Sequence, residues 1–203
     1  MKGAILVISG PSGAGKSTLI NRMLKEVPDT YFSISTTTRE MREGEQNGRE
    51  YFFISKEQFE KEIEEGEFLE WAKVHGNYYG TSLKPVKKAL SEGKLVVFDI
   101  DVQGHKIVRE KFDKITTSVF LTTPSLNVLK ERLSKRGTDS KDIIEKRIKN
   151  ALVEIKEIGN YDFLIINDDL EKACDSLISV AKSARLKTSL FDLEQFIDHW
   201  INN

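Results

Sequence analysis

Ala4-Ile5-Leu6-Val7-Ile8-Ser9 runs directly into Gly10-Pro11-Ser12-Gly13-Ala14-Gly15-Lys16-Ser17. A β-prone run, a glycine-rich turn and the helical pattern Ser17 to Lys25 follow one another without a break. The turn matches G-x-x-x-x-G-K-[ST] at every fixed position. Each residue type there has a chemical reason. Glycines let successive backbone N–H groups turn inward around a phosphate, and the helix N-terminus adds partial positive charge. Lys16 is spaced to reach the outer phosphates, and the Ser17 hydroxyl to ligate a magnesium ion. The plainer reading is a turn that ends by chance in Lys-Ser, and it leaves the flanking strand and helix unexplained. The stretch predicts a nucleoside-triphosphate site.

Working outward, Leu95–Ile100, Ile115–Leu121 and Phe163–Ile166 repeat the character of Ala4–Ser9. Each is a continuous apolar run, as in a strand buried on both faces of a parallel sheet. Helical stretches separate them, opening at Lys16, Ser82, Ser125 and Asp168, with a longer one from near Ser140 to Glu157. This alternation predicts an α/β fold, a P-loop parallel sheet with helices on both faces. Leu95-Val96-Val97-Phe98 delivers Asp99 to the carboxyl end of its strand, with Asp101 two residues on. An acid there is placed to meet magnesium through water. The plainer reading is an acid that caps the strand end, weaker for Asp99 than for Asp101.

Two stretches interrupt the alternation. Residues 33–81 read as short strands, including Glu50–Ile54 and Phe68–His75, around a helix opened by Ser55 with Gln58 three residues later, the spacing of a capping box. Gly76-Asn77 marks a turn. This is a small α+β insertion between core strands, with Trp71, Phe52 and Phe53 expected as its own core. Lys130 to Lys149 carries eight basic residues (Lys130, Arg132, Lys135, Arg136, Lys141, Lys146, Arg147, Lys149) against four acids (Glu131, Asp139, Asp142, Glu145). That excess suits an anionic partner or a solvated face. The expected division is a core over 1–32, 82–125 and 150–186, the insertion over 33–81, a basic helical lid over 126–149, and an amphipathic helix over 187–203. In that tail Leu190, Leu193, Phe196, Ile197, Trp200 and Ile201 share one helical face. Packing onto the chain's own domain is expected, with a homodimer contact as the alternative.

Charge and composition narrow the classes. Lys plus Arg is 31 against 32 for Asp plus Glu in 203 residues, so the basic excess of a general nucleic-acid binder is missing. Hydrophobic residues at 39% support a core and exclude global disorder. Cys174 stands alone, cannot form an internal disulfide and is expected to be buried; a reducing, cytoplasmic setting follows. The early apolar run is too short for a membrane span. His75, His105 and His199 show no metal-site spacing and read as structural.

Asp101-Val102-Gln103-Gly104 also fits the D-x-x-G of GTP-hydrolysing switches. No N-K-x-D tetrapeptide accompanies it, and Asn167-Asp168-Asp169 lacks the lysine. A kinase instead needs an acceptor site. Arg39 and Arg42 follow Ser35-Thr36-Thr37-Thr38, with Tyr51 beyond; two guanidinium forks plus hydroxyls suit a monophosphate. Glu70 and Asn77-Tyr78-Tyr79-Gly80-Thr81 add a carboxylate and hydroxyls. A carboxylate accepts from N1–H and N2–H₂ of guanine together, and a hydroxyl can donate to O6. Adenine lacks the N1–H and would leave that carboxylate underpaired at a cost of about 1–3 kcal/mol. Singly, Arg39 or Arg42 reads as a surface ion pair, Tyr51 and Tyr79 as core edges, and Glu70 as a solvated strand residue.

Together these segments resemble the guanylate kinase family. The resemblance rests on Ser35-Thr36-Thr37-Thr38-Arg39, Arg42-Glu43-Gly44-Glu45, Asn47-Gly48, Tyr51, Glu67-Phe68-Leu69-Glu70-Trp71-Ala72, Gly76-Asn77-Tyr78-Tyr79-Gly80 and Asp99-Ile100-Asp101-Val102-Gln103-Gly104, and runs from about residue 3 to 182. It implies that Ser35, Arg39, Arg42 and Tyr51 hold the GMP phosphate with Tyr79 beside them. Glu70 and Thr81 would read the guanine edge, with Asp101 near the acceptor. Residues 10–18, from Gly10 to Thr18, would take ATP, with Asn167 near adenine. Arg132, Arg136 and Arg147 would be lid arginines. Ser17, and Asp99 through water, would meet Mg²⁺. Met41 stands where the family has proline, and Glu50 where aspartate is usual.

The implied activity is transfer of the γ-phosphoryl group of ATP to GMP, and to dGMP, giving ADP and GDP in purine nucleotide metabolism. The acceptor is already an anion, so positioning and neutralisation carry the chemistry, with Lys16, Mg²⁺ and the lid arginines offsetting charge and Arg39 bridging donor and acceptor. Two rivals remain at this point. One is a P-loop kinase with another acceptor. The other is a guanylate-kinase-like module that binds phosphorylated protein without chemistry, against which Gly15-Lys16-Ser17 stands intact.

Overall fold

The computed structural model describes residues 3–74, 76–135 and 140–203, so Arg136 and His75 lie outside the described residues. In chain order the elements are β1 (Ala4–Ser9), α1 (Lys16–Glu26), β2 (Thr30–Phe32), β3 (Thr36–Thr37), β4 (Phe52–Phe53), α2 (Lys56–Glu64), β5 (Phe68–Val74), β6 (Asn77–Ser82) and α3 (Leu83–Ser91). They continue with β7 (Leu95–Asp99), α4 (Val102–Phe112), β8 (Thr116–Thr122), α5 (Leu126–Lys135), α6 (Lys141–Glu154), β9 (Phe163–Ile166), α7 (Leu170–Ser183) and α8 (Leu193–Asn202).

The first sheet is parallel, in the order β2-β7-β1-β8-β9. Side chains of β1 alternate between its faces, as strand geometry requires. Leu6 and Ile8 join Leu19, Met23 and Leu177 of α1 and α7 on one side, whereas Ile5 and Val7 join Val86 and Val108 of α3 and α4 on the other. Burial on both faces is why β1, β7 and β8 read as continuous apolar runs.

Strand β9 departs from that expectation. It closes one edge of the sheet, and Phe163, Leu164 and Ile166 are 44%, 48% and 52% exposed, with Ile165 alone facing the core. Apolar composition there reflects an edge strand covered on part of one face. The opposite edge strand, β2, was not anticipated, because Thr30-Tyr31-Phe32 is too short and too polar to read as core.

The second sheet, β4-β3-β6-β5, is mixed. Its core differs from expectation. Trp71 is 46% exposed, and Phe52 and Phe53 are half-buried. Phe59 of α2 is fully buried instead, stacked on Phe68 at 4.1 Å and on Tyr78 at 5.1 Å. Beyond a register shift in β5, Trp71 meets Tyr78 edge-on at 5.7 Å and caps the open side of that stack. The Ser55 cap is present, accepting from the Gln58 amide at 3.1 Å, but the Gln58 side chain donates to Glu62 and leaves the box half made.

Helix starts fall at or next to the expected residues. Ser82 and Ser140 cap α3 and α6, Ser125 Oγ accepts from the Val128 amide at the head of α5, and Asp169 rather than Asp168 caps α7. The long helix ends at Glu154, where the chain tightens into a 3₁₀ stretch, Ile155–Asn160. Cys174 is buried, as expected. Helix α8 does not pack onto its own domain: it has no buried residue, and Leu193, Phe196, Ile197, Trp200 and Ile201 are all exposed. Leu190, one turn earlier, is buried in the core. Among the described residues, no helix is long and apolar enough to cross a membrane.

Candidate nucleotide site

The loop between β1 and α1 wraps a cavity of about 340 Å³ that is shared with Asp99 at the end of β7, Asp101 beyond it and Glu154 at the end of α6. Gly10 adopts φ +143°, and a Cβ there would sit 1.9 Å from the Leu121 carbonyl oxygen, so β8 presses too closely for any side chain. Lys16 Nζ donates to the Gly10 carbonyl at 2.6 Å and lies 4.0 Å from an Asp99 oxygen. Burial raises the Asp99 carboxyl above its ordinary pKa, and the Lys16 charge pulls it back.

Of the expected lid arginines, Arg147 touches this loop and Arg132 touches the residue that braces it. Arg147 donates to Ser12 Oγ at 2.6 Å, and Arg132 donates to the Asn167 carbonyl at 2.8 Å. Asn167 is 4% exposed and its amide donates to the Ala14 carbonyl at 2.8 Å, so its side chain braces the loop from below. Asp101 Oδ1 accepts from the Gln103 and Gly104 amides at 3.0 and 2.8 Å, capping α4. The Ser17 and Thr18 side chains are on the exposed first turn of α1.

The residues expected to take the acceptor sit on and around the second sheet. Arg39 Nη2 donates to both Glu45 carboxylate oxygens at 2.7 and 3.0 Å, with its guanidinium 5.6 Å from the Tyr51 and Phe53 ring centres. The hydrogen bond to Arg39, then the Arg42 amide, hold the Glu45 carboxyl below the usual carboxylate range. Tyr51 meets Tyr79 edge-on at 6.0 Å, and the Ser35 carbonyl accepts from the next residue's amide, that of Phe52, at 2.9 Å. Arg42 is exposed, and its amide donates to Glu45 at 2.7 Å, which ties the turn that Met41 enters without a proline ring. Thr81 Oγ1 donates to Glu70 Oε1 at 2.6 Å, so the two residues expected to read one base edge are in contact.

Sequence reasoning gave no role to Glu45 or Glu154. Glu45 follows Arg42 by three, the spacing of a turn closed by a side chain. Glu154 follows Arg147 by seven, which puts both on one face of α6. His105, read only as structural, stacks on Tyr161 with ring centres 4.0 Å apart.

The donor set suits a magnesium ion carried in by a nucleotide. Ser17 and Asp99 flank the cavity, and among the described residues no group of three or more His, Cys, Asp or Glu side chains forms a cage of its own. Magnesium keeps several waters and takes one or two protein groups plus phosphates, which matches such a sparse set.

A family model described as guanylate kinase matches residues 2–184. The chain belongs to the guanylate kinase family. It is 54% identical over 199 residues to the guanylate kinase of Wolinella succinogenes, covering 98% of this chain and 93% of that one. The guanylate kinase of Sulfurimonas denitrificans is also 54% identical, over 198 residues, with 98% and 96% covered. The crystal structure of guanylate kinase from Anaplasma phagocytophilum superposes with a TM-score of 0.72 at 31% identity, covering 98% of this chain and 95% of that one. Guanylate kinase family membership agrees with the parallel five-stranded sheet and its phosphate loop.

Proposed function

We propose that the two sheets divide the substrates, ATP on the phosphate loop and GMP on the insertion. Family membership makes the reaction ATP:GMP phosphotransfer. The observation that carries the division is the pairing of Thr81 with Glu70 on the second sheet, while Lys16 and Arg147 bond to the loop of the first and Arg132 to the carbonyl of Asn167, which braces it. Residues 10–18 hold the ATP phosphates, Arg132 and Arg147 cover them from the lid at 126–149, and Asn167 holds the loop where adenine would lie. Ser35, Arg39, Arg42, Tyr51 and Tyr79 take the GMP phosphate, Glu70 and Thr81 take guanine, and Asp101 stands by the acceptor. The same contacts admit dGMP, since none of them needs a 2′-hydroxyl. Ser17, and Asp99 through water, would hold Mg²⁺, which when bound neutralises charge on the transferring phosphate.

Arg39 has to exchange the Glu45 carboxylate for a phosphate, a planar anion for a tetrahedral one, and two oxygens of either can accept from its guanidinium. ADP release from ATP and Mg²⁺ with GMP, AMP, CMP or UMP offered separately tests the reading. Turnover confined to GMP and dGMP supports it; turnover with another acceptor discards the guanine reader, and GMP binding without turnover leaves a binding module.

We also place the chain in the cytoplasm, in keeping with its one free, buried cysteine. For its assembly, a second copy is the cover that α8 requires. Its five exposed apolar side chains offer roughly 600 Å², near the about 800 Å² each partner gives to a standard interface. Light scattering of the chain truncated before Leu193 tests this: a halved particle mass is expected, and an unchanged mass removes the dimer.

A further inference from the structure

Glu154 closes α6 at the rim of the phosphate-loop cavity, facing the same space as Lys16, Asp99 and Asp101. Its Oε2 is buried and has no hydrogen-bond partner. Burial raises the Glu154 pKa, with Lys16 opposing and Asp101 reinforcing. Two turns earlier on the same helical face, Arg147 donates to Ser12 of the loop. Helix α6 therefore lays one cation and one anion against the phosphate site. The cation needs no explanation beside a triphosphate. The anion does, because two like charges about 4 Å apart repel by about 1 kcal/mol in water and about 4 kcal/mol near a protein surface.

A cation placed between carboxylate and phosphate removes that conflict. Lys16 is turned toward the Gly10 carbonyl and Asp99. A magnesium ion that keeps its waters presents O–H donors in several directions, and an acceptor without a partner is what such a donor needs. We propose that Glu154 is a positioning residue for the divalent ion that accompanies ATP, accepting through Oε2 a hydrogen bond from an ion-bound water. The inference rests on the reading of the loop as an ATP site. It brings a contact to the ion from the lid helix, in addition to Ser17 and Asp99 from the core. Ion binding and seating of α6 are then linked, each strengthening the other by the same factor.

The test is ATP binding by calorimetry, with EDTA or with Mg²⁺, to the unaltered chain, to Glu154→Gln and to Glu154→Ala. Loss of an outer partner of a bound metal costs roughly tenfold or more in metal affinity. Both variants should bind metal-free ATP as well as the unaltered chain or better, while the gain in affinity on adding Mg²⁺ falls by roughly tenfold. Equal weakening with and without Mg²⁺ would mean a structural role and overturn the proposal. Equal tightening would mean plain repulsion, and an unchanged Mg²⁺ gain also overturns it. Should both variants unfold, Glu154→Asp keeps the charge on a shorter arm, and Mn²⁺ titration into its ATP complex, read by water proton relaxation, must show weakened ion binding. Absence of ATP binding by the unaltered chain would instead strike the nucleotide-site reading itself.

Discussion

Thr81 spends its single hydroxyl proton on Glu70, across neighbouring strands β5 and β6 at 2.6 Å. A threonine has one O–H to donate, so in this state the hydroxyl aims the carboxylate and cannot also donate to guanine O6. On the proposed division of substrates, guanine recognition would then fall mainly on Glu70, with Thr81 as its orienter. Thr81→Val should lower kcat/KM for GMP by about tenfold, the worth of one hydrogen bond to a charged group. Glu70→Gln should lower it further and narrow the gap between GMP and AMP. Steady-state kinetics with both acceptors decides, and unchanged discrimination in Glu70→Gln would sink the assignment.

Arg39 is held by Glu45 and flanked by Tyr51 and Phe53. Arg39→Ala should cut kcat/KM for GMP by about a hundredfold, since a bidentate charged contact contributes about 1.5–3 kcal/mol. ATP affinity should change little. Arg39→Lys should recover only part of the loss, because an ammonium cannot fork. An equal fall in ATP affinity would contradict the role.

Asn167 is the brace beneath the phosphate loop, and its removal leaves the Ala14 carbonyl buried without a donor. Asn167→Ala should cost about 1–3 kcal/mol of stability and lower the melting temperature by about 5 °C. Calorimetric scans check the first expectation. ATP affinity should fall with it, because the side-chain amide that is lost braces the phosphate loop at Ala14.

His105 is 2% exposed, and burial, with the nearby Arg109 charge adding to it, lowers its pKa from 6.5 to about 4. Asp162 and Glu157 oppose the shift and Lys106 adds to it. The unfolded chain binds the proton more readily, so the contribution is complete above about pH 6.5 and is lost as pH falls toward 4. In all it is worth about 3 kcal/mol. His105→Phe keeps the ring against Tyr161 but cannot titrate. Urea unfolding between pH 7 and 4 should show the unaltered chain losing about that much relative to the variant, and parallel curves would refute the assignment.

The sequence made the phosphate loop, the three central strands and the parallel sheet legible because each is governed by a local rule: glycines at fixed positions, or apolar runs where both faces are buried. Capping residues at Ser55, Ser82 and Ser140 were legible for the same reason. What stayed hidden depended on the third dimension. Trp71 and Phe59 are both aromatic, and only sheet register and the seat of α2 decide which is enclosed. Phe163–Ile166 reads like a central strand, but its place at the edge is set by strand order, which composition does not carry. The Arg39–Glu45 pair was hidden because acids are plentiful around Arg42 and only the loop's path selects one.

That edge has a colloidal consequence. Strand β9 ends the sheet with Phe163, Leu164 and Ile166 open to water beside an unpaired backbone margin, with Asp162 before it and Asp168-Asp169 after it. Asp162 is already paired with Arg109, so the charge that keeps this adhesive margin apart rests on Asp168-Asp169, and salt screens it. Chains that meet before their helices have settled will associate along this margin, so refolding yield should fall as protein concentration and ionic strength rise together.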